Sequence, residues 1–209
     1  MINKITTCLS LVLFIVISLC GCHQRRNFFE DEDNAGLSRF TSRGYNIVTL
    51  YLNDSAYINP YEHYPLGGTA NSKVSIQKLP TTGNEDTLRI AWDISYANAT
   101  DNNPDFTTLS VLIPVSKNFS QADFRSWEGK RFPGNAVADV TMVLDRLNYQ
   151  STGADTGKAT IYFVKLDRDE SKNPEVMYQF TGLFEGTAGN NKITKGRFDF
   201  LVGASSLNF

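Results

Sequence analysis

The chain has 209 residues, a formal net charge of -2, a pI near 5.7 and 12% aromatic residues. With no basic stripe, that charge excludes an electrostatic nucleic-acid binder. The three cysteines all lie within the first 22 residues and only two histidines are present, which excludes a disulfide framework and the usual His/Cys zinc sites.

The N-terminus places one lysine, Lys4, before an apolar stretch that is densest over Leu9–Leu19. That stretch is shorter than the roughly 20 residues of a comfortable membrane span. A short basic start, a compact apolar centre and small residues at its end describe a secretory signal peptide. Leu19-Cys20-Gly21-Cys22 resembles the bacterial lipobox. The resemblance implies cleavage after Gly21 and lipidation of Cys22, with an uncleaved signal anchor as the alternative. Residues 1–21 are then the signal peptide, and residues 22–43, CHQRRNFFEDEDNAGLSRFTSR, read as a flexible polar tether. By analogy with enterobacterial sorting, His23 after the cysteine favours the outer membrane. The acidic run Glu30–Asp33 has two readings, a surface-export signal or a solvated charge run.

Residues 44–209 are expected to form one all-β domain, an antiparallel β-sandwich with a lipocalin-like β-barrel as the alternative. About eight strands and at most one short helix are expected. Val48, Leu50 and Leu52 alternate with other residues, as do Val74 and Ile76. In DTLRIAWDISY, Leu88, Ile90, Trp92, Ile94 and Tyr96 share one face, with Arg89, Asp93 and Ser95 on the other. Leu109, Val111, Ile113 and Val115 repeat the pattern, and Pro114 predicts an edge or a bulge. Ser120-Gln-Ala-Asp predicts a capped helix start before Phe124 and Trp127. Further strands are predicted at Val137–Leu144, Ala159–Leu166, Val176–Glu185 and Lys192–Val202. Turns are predicted at Pro80–Asn84, Asp101–Pro104, Gly153–Gly157, Asp169–Pro174 and Gly189–Asn191.

The last third carries Phe180-Thr-Gly-Leu-Phe184 and Ile193-Thr-Lys-Gly-Arg-Phe-Asp-Phe200 across an Asn/Gly turn. With the lipobox, this pattern resembles small Bacteroidetes lipoproteins of unknown function. The resemblance implies an envelope β-sandwich and brings no activity with it. Physically, Gly182 and Gly196 permit close backbone approach or a bulge, and Phe184, Phe198 and Phe200 pack the core.

No P-loop, dinucleotide fingerprint or nucleophile elbow is present, and no cofactor or metal site is expected. Asp101–Asp105 reads as a plain turn or a loop calcium site, lacking the glycine and glutamate of an EF-hand. Asp93, Glu128, Asp139 and Glu185 are the carboxylates available for glycoside hydrolysis. The richest binding stretch is AYINPYEHYPLGG, expected as a loop joining the first two strands, with Tyr57, Tyr61, His63 and Tyr64, and with Trp127 as a further contributor. Such rings offer flat apolar faces with polar tips, or else fold down as a lid on the core. Asp54-Ser55-Ala56 and Asp86-Thr87-Leu88 resemble Bacteroidetes O-glycosylation sites at Ser55 and Thr87.

The expected protein is a lipid-anchored, non-enzymatic binding module of the outer membrane, facing the periplasm or the surface. Its partners are the membrane and a glycan or envelope protein, in the first case as an accessory to carbohydrate uptake. A pilin-like or assembly component pairing through β edges is the second class, and a glycan hydrolase the third. Replacing Cys22 by alanine should abolish incorporation of labelled palmitate in cells, whereas continued labelling places the lipid elsewhere.

Overall fold

The computed structural model describes residues 30–59, 74–96, 107–133, 140–148, 151–169, 177–203, 207 and 209. Twelve strands and one short helix are found among them, so the all-β expectation holds while the expected eight strands were too few. The strands are β1 (Glu30–Asp31), β2 (Asn34–Ser38), β3 (Ile47–Leu52), β4 (Ser55–Ile58), β5 (Val74–Leu79) and β6 (Glu85–Tyr96). They continue with β7 (Thr107–Ser116), β8 (Arg131–Phe132), β9 (Thr141–Asn148), β10 (Ser151–Asp169), β11 (Met177–Ala188) and β12 (Asn191–Gly203). The helix, α1, spans Gln121–Arg125. Its capping box is the expected one: the Ser120 hydroxyl accepts from the Asp123 N–H while the Asp123 carboxylate accepts from the Ser120 N–H.

All the paired strands run antiparallel. β1 and β2 make a small hairpin, and the other ten join in one sheet. That sheet curls far enough for β10 to pair with β11 as well as with β9. Two long strands allow this by changing partners along their length. β10 pairs with β9 over Ser151–Lys158 and with β11 over Ala159–Asp169. β6 pairs with β5 over Thr87–Trp92 and with β4 at Ser95 and Tyr96.

Alternation read from the sequence matches burial along β6: Leu88, Ile90, Trp92 and Ile94 are buried while Asp93 is exposed. The buried faces of the large sheet enclose one core rich in aromatic rings. Trp92 stacks on Phe184 at 5.0 Å and lies 5.3 Å from Phe198. Phe180 stacks on Phe198 at 4.5 Å, and α1 brings Phe124 within 6.0 Å of both Phe163 and Phe180. Such pairs add to stability beyond the area they bury. The Trp92 indole N–H is buried there without an acceptor.

Four expectations are corrected. The tether expected over residues 22–43 is ordered in its second half, because residues 30–38 form the β1–β2 hairpin and residues 41–45 are bonded to β12. Gly153–Gly157 is not a turn but the first part of β10. Pro114 lies in a strand flanked on both sides, with an unbroken ladder to β6 through Thr87. It is tolerated because the described ladder to β9 ends at Leu112, two residues earlier. Finally, Ala56–Ile58 belong to a strand rather than a loop: Asn53 and Asp54, with φ of 48° and 64°, close a two-residue hairpin between β3 and β4. Asp101–Pro104 lies outside the described residues.

Glycines mark where β10 leaves β9 for β11. A Cβ on Gly157 would sit 2.2 Å from the Thr187 carbonyl oxygen, and one on Gly186 2.3 Å from that of Lys158. Both contacts are with backbone, which has no rotamer to escape into. Gly157→Ala should lower the unfolding free energy by about 1–3 kcal/mol in a urea titration. Gly153→Ala, with nothing within 4 Å of the new methyl, is the control and should be neutral or slightly stabilising.

Candidate functional site

The N-terminal segment builds one wall of the candidate site, and two buried charges on β12 hold it there. Asp199 is 2% exposed. Its carboxylate accepts from the Thr41 hydroxyl, from the Arg43 N–H at 3.0 Å, from the Gly44 N–H at 2.7 Å and from the Thr181 hydroxyl at 3.2 Å. Arg197 is also buried, donating to Asp31 at 2.5 Å and to the Ser38 carbonyl at 2.7 Å. Beneath this segment Leu37, Ile47 and Ile58 are buried outside the central core.

Beside that wall, strand register lines up a row of side chains on the outer face. Tyr162 on β10 pairs with Arg131 on β8 and with Leu183 on β11, and Leu183 pairs with Arg197 on β12. Three strand spacings make the row about 14 Å long. One rung away Thr160 pairs with Glu185. Together with Asp31, Phe40, Phe184, Lys195 and Gly196, these residues line a groove of about 520 Å³. Leu183, one of two large apolar side chains exposed among the described residues, lies on its floor.

Lys195 reaches the groove through a fault in the strand. Phe184 pairs with Gly196 and Gly186 with Ile193, while on the other side Thr194 pairs with Tyr51 and Arg197 with Thr49. Both ladders slip at the same place, so β12 carries an extra residue against both neighbours. Lys195 sits there with φ of 51°, a left-handed conformation that glycine would adopt more cheaply. Gly196 cannot be larger, because a Cβ would lie 2.5 Å from the Phe184 ring. The Lys195 ammonium donates to the Asn34 side chain at 2.5 Å. Arg131 and Glu185 face each other at 3.4 Å, both well exposed.

The sequence-derived site residues are placed differently. Trp127 is 9% exposed among Phe119, Phe124, Phe132 and Phe163, so it is a core ring and not a ligand platform. Tyr57 lies on β4 and packs against the core. Tyr61, His63 and Tyr64, like Cys22 and Asp139, lie outside the described residues. Ser55 is half-exposed just after the β3–β4 turn. Thr87 lies inside the sheet between Leu79 and Pro114, and the preceding Asp86 is buried and paired with Lys117 at 2.9 Å. Of the carboxylates, Asp93 accepts from Thr108, Glu128 from the Leu166 N–H, and Glu185 faces Arg131. None of these three pairs with another. No group of three His, Cys, Asp or Glu arranged for a metal ion occurs among the described residues. Apart from Glu185, the groove residues were missed because cross-strand register brings them together. The one local signal was the Lys195-Gly196 pair inside an otherwise regular strand.

No family model matches this chain, and neither a curated protein nor a solved structure is significantly similar to it.

The wall has a pH dependence set by Asp31. The Arg197 guanidinium bonded to it, with the Asp33 N–H and the Asn34 amide, holds its carboxyl at about 2 instead of the usual 3.8. The unfolded chain therefore takes up a proton near pH 3.8 that the folded chain refuses until about pH 2. The stabilisation is complete above about pH 4 and is lost as pH falls toward 2. In urea titrations at pH 6, 4 and 2.5, Asp31→Asn should lower stability most at pH 6 and progressively less toward 2.5. A constant difference between the two proteins contradicts this. Asp86, lowered by its bond to Lys117, and Asp123, lowered by Ser120, leave some acid sensitivity in the variant.

Proposed function

We propose that this chain is a lipid-anchored envelope protein whose β-rich part binds a saccharide, without catalysis, in the groove over β10, β11 and β12. The observation that carries the reading is the row Arg131–Tyr162–Leu183–Arg197 beside Phe40. A half-buried tyrosine and an exposed leucine offer a ring face and an apolar floor to the C–H faces of a sugar. The flanking arginine, glutamate, threonine and lysine offer donors and acceptors for its hydroxyls. The lipobox-like sequence around Cys22 supports the anchor. Asp93, Glu128 and Glu185, each with a structural partner of its own, give a hydrolase little support.

The architecture is read in the same terms. The return of the sheet from β10 to β11 favours a closed, flattened arrangement, with β6 and β10 shared by two opposed sheets. Its interior is filled by aromatic rings, so a ligand is expected on the outside, unlike the open cup of a lipocalin-like barrel. The aromatic stretch with Tyr61, His63 and Tyr64 stays a second candidate surface. Assembly by strand addition is the second reading, favoured by β5, which hydrogen-bonds to β6 alone among the described strands and exposes Leu79.

A glycan-array screen of the full chain tests the saccharide reading. Tyr162→Ala and Leu183→Ser should each weaken binding about tenfold or more while the protein stays folded with a cooperative thermal transition, since both side chains lie on the outer face. Equal binding by wild type and both variants removes the groove as the site.

A further inference from the structure

We infer that the groove selects an acidic saccharide, with Lys195 as the cation that receives its carboxylate. The inference rests on the saccharide reading and adds the charge class of the sugar. Five charged side chains line the groove: Arg131, Lys195 and Arg197 against Asp31 and Glu185. They are not equivalent. Asp31 and Arg197 neutralise each other at 2.5 Å with side chains 17% and 10% exposed, so this pair belongs to the wall. Arg131 and Glu185 are both about 60% exposed at 3.4 Å. Such a pair holds its members weakly and leaves the guanidinium with further N–H donors for a second acceptor. Lys195 differs from both arginines: the partner recorded for its ammonium is the neutral amide oxygen of Asn34. Among the described residues no carboxylate bonds to that ammonium, which keeps donors to spare.

The backbone supports the same residue. A bulge re-aims a side chain out of the regular alternation, and here it puts a lysine where the left-handed conformation favours glycine. Lys195 is exposed and lines the same groove as Tyr162, Leu183, Arg131 and Glu185. A uronic acid matches this arrangement: ring face on Tyr162 and Leu183, carboxylate on Lys195 with Arg131 as a further donor, and hydroxyls on Glu185 and Thr160. A neutral sugar would use the floor and offer the ammonium a hydroxyl but no opposite charge. The net charge of -2 for the whole chain makes this local excess of cations a feature of the site and not of the protein.

Isothermal titration of the full chain in detergent, with a panel of oligouronates and their carboxyl-reduced counterparts, tests the inference. The acidic member of a bound pair should bind about tenfold more tightly, as a charge-assisted hydrogen bond requires, and the advantage should shrink as salt is raised. Lys195→Gly should erase that advantage by bringing the acidic form down to about the affinity of the reduced one, and should keep or raise the thermal midpoint, because the left-handed strain is relieved. Lys195→Arg should restore part of the preference. Equal affinity for acidic and reduced forms leaves the saccharide reading standing and overturns the charge assignment. A Lys195→Gly variant that loses stability together with both kinds of binding assigns the lysine to the fold and overturns it too. A Lys195-dependent preference for phosphatidylglycerol over phosphatidylcholine vesicles, with no binding to either sugar, gives the cation to a lipid headgroup and overturns both readings.

Discussion

The arrangement of the outer face depends on one buried carboxylate. Asp199 carries no cation in its shell of donors. Hydroxyl and backbone N–H groups surround it, and two of those N–H groups come from Arg43 and Gly44, about 155 residues earlier in the chain. A buried carboxylate stripped of these donors would be strongly unfavourable, so the segment that supplies them cannot drift away. With the segment held, Leu37 is covered, Phe40 and Asp31 stand beside the groove, and Arg197 finds its counter-charge.

The interior follows a different logic. Its rings are large, and the strands bring them together only where glycine makes room. Gly182 lies against the Phe198 ring and the Tyr162 carbonyl, Gly196 against the Phe184 ring, and Gly157 and Gly186 let β10 and β11 approach as β10 changes partners. The same glycine that admits Phe184 inside is the neighbour of the bulged lysine outside. Core packing and the outer groove are thus coupled through two adjacent residues of β12.

Much of the strand pattern was legible in the sequence because half-buried strands alternate, as Leu88, Ile90, Trp92 and Ile94 do against Asp93. The capped helix start at Ser120 was legible because its two hydrogen bonds are local. The hairpin over residues 30–38 was not, since acidic and polar residues there look like solvated chain until Arg197 and Asp199 are known to lie opposite. Gly153–Gly157 misled in the other direction, because glycine serves close strand crossing as readily as a turn. The groove was illegible for a related reason: Arg131, Tyr162, Leu183 and Arg197 become neighbours only through register, which a one-residue slip would alter. Trp127 looked like a binding residue on chemistry alone and is buried among core rings, while Tyr57 is half-buried against the core.

The ordered hairpin also changes what an anchor at Cys22 would do mechanically. Seven residues, 23–29, separate that cysteine from Glu30, so the full reach is about 28 Å, a short leash rather than a long one. Tension from such an anchor would enter the protein at β1 and reach the large sheet at β12 through Asp31–Arg197. The first place to yield under load would be the wall of the groove, while the aromatic core behind it stayed intact.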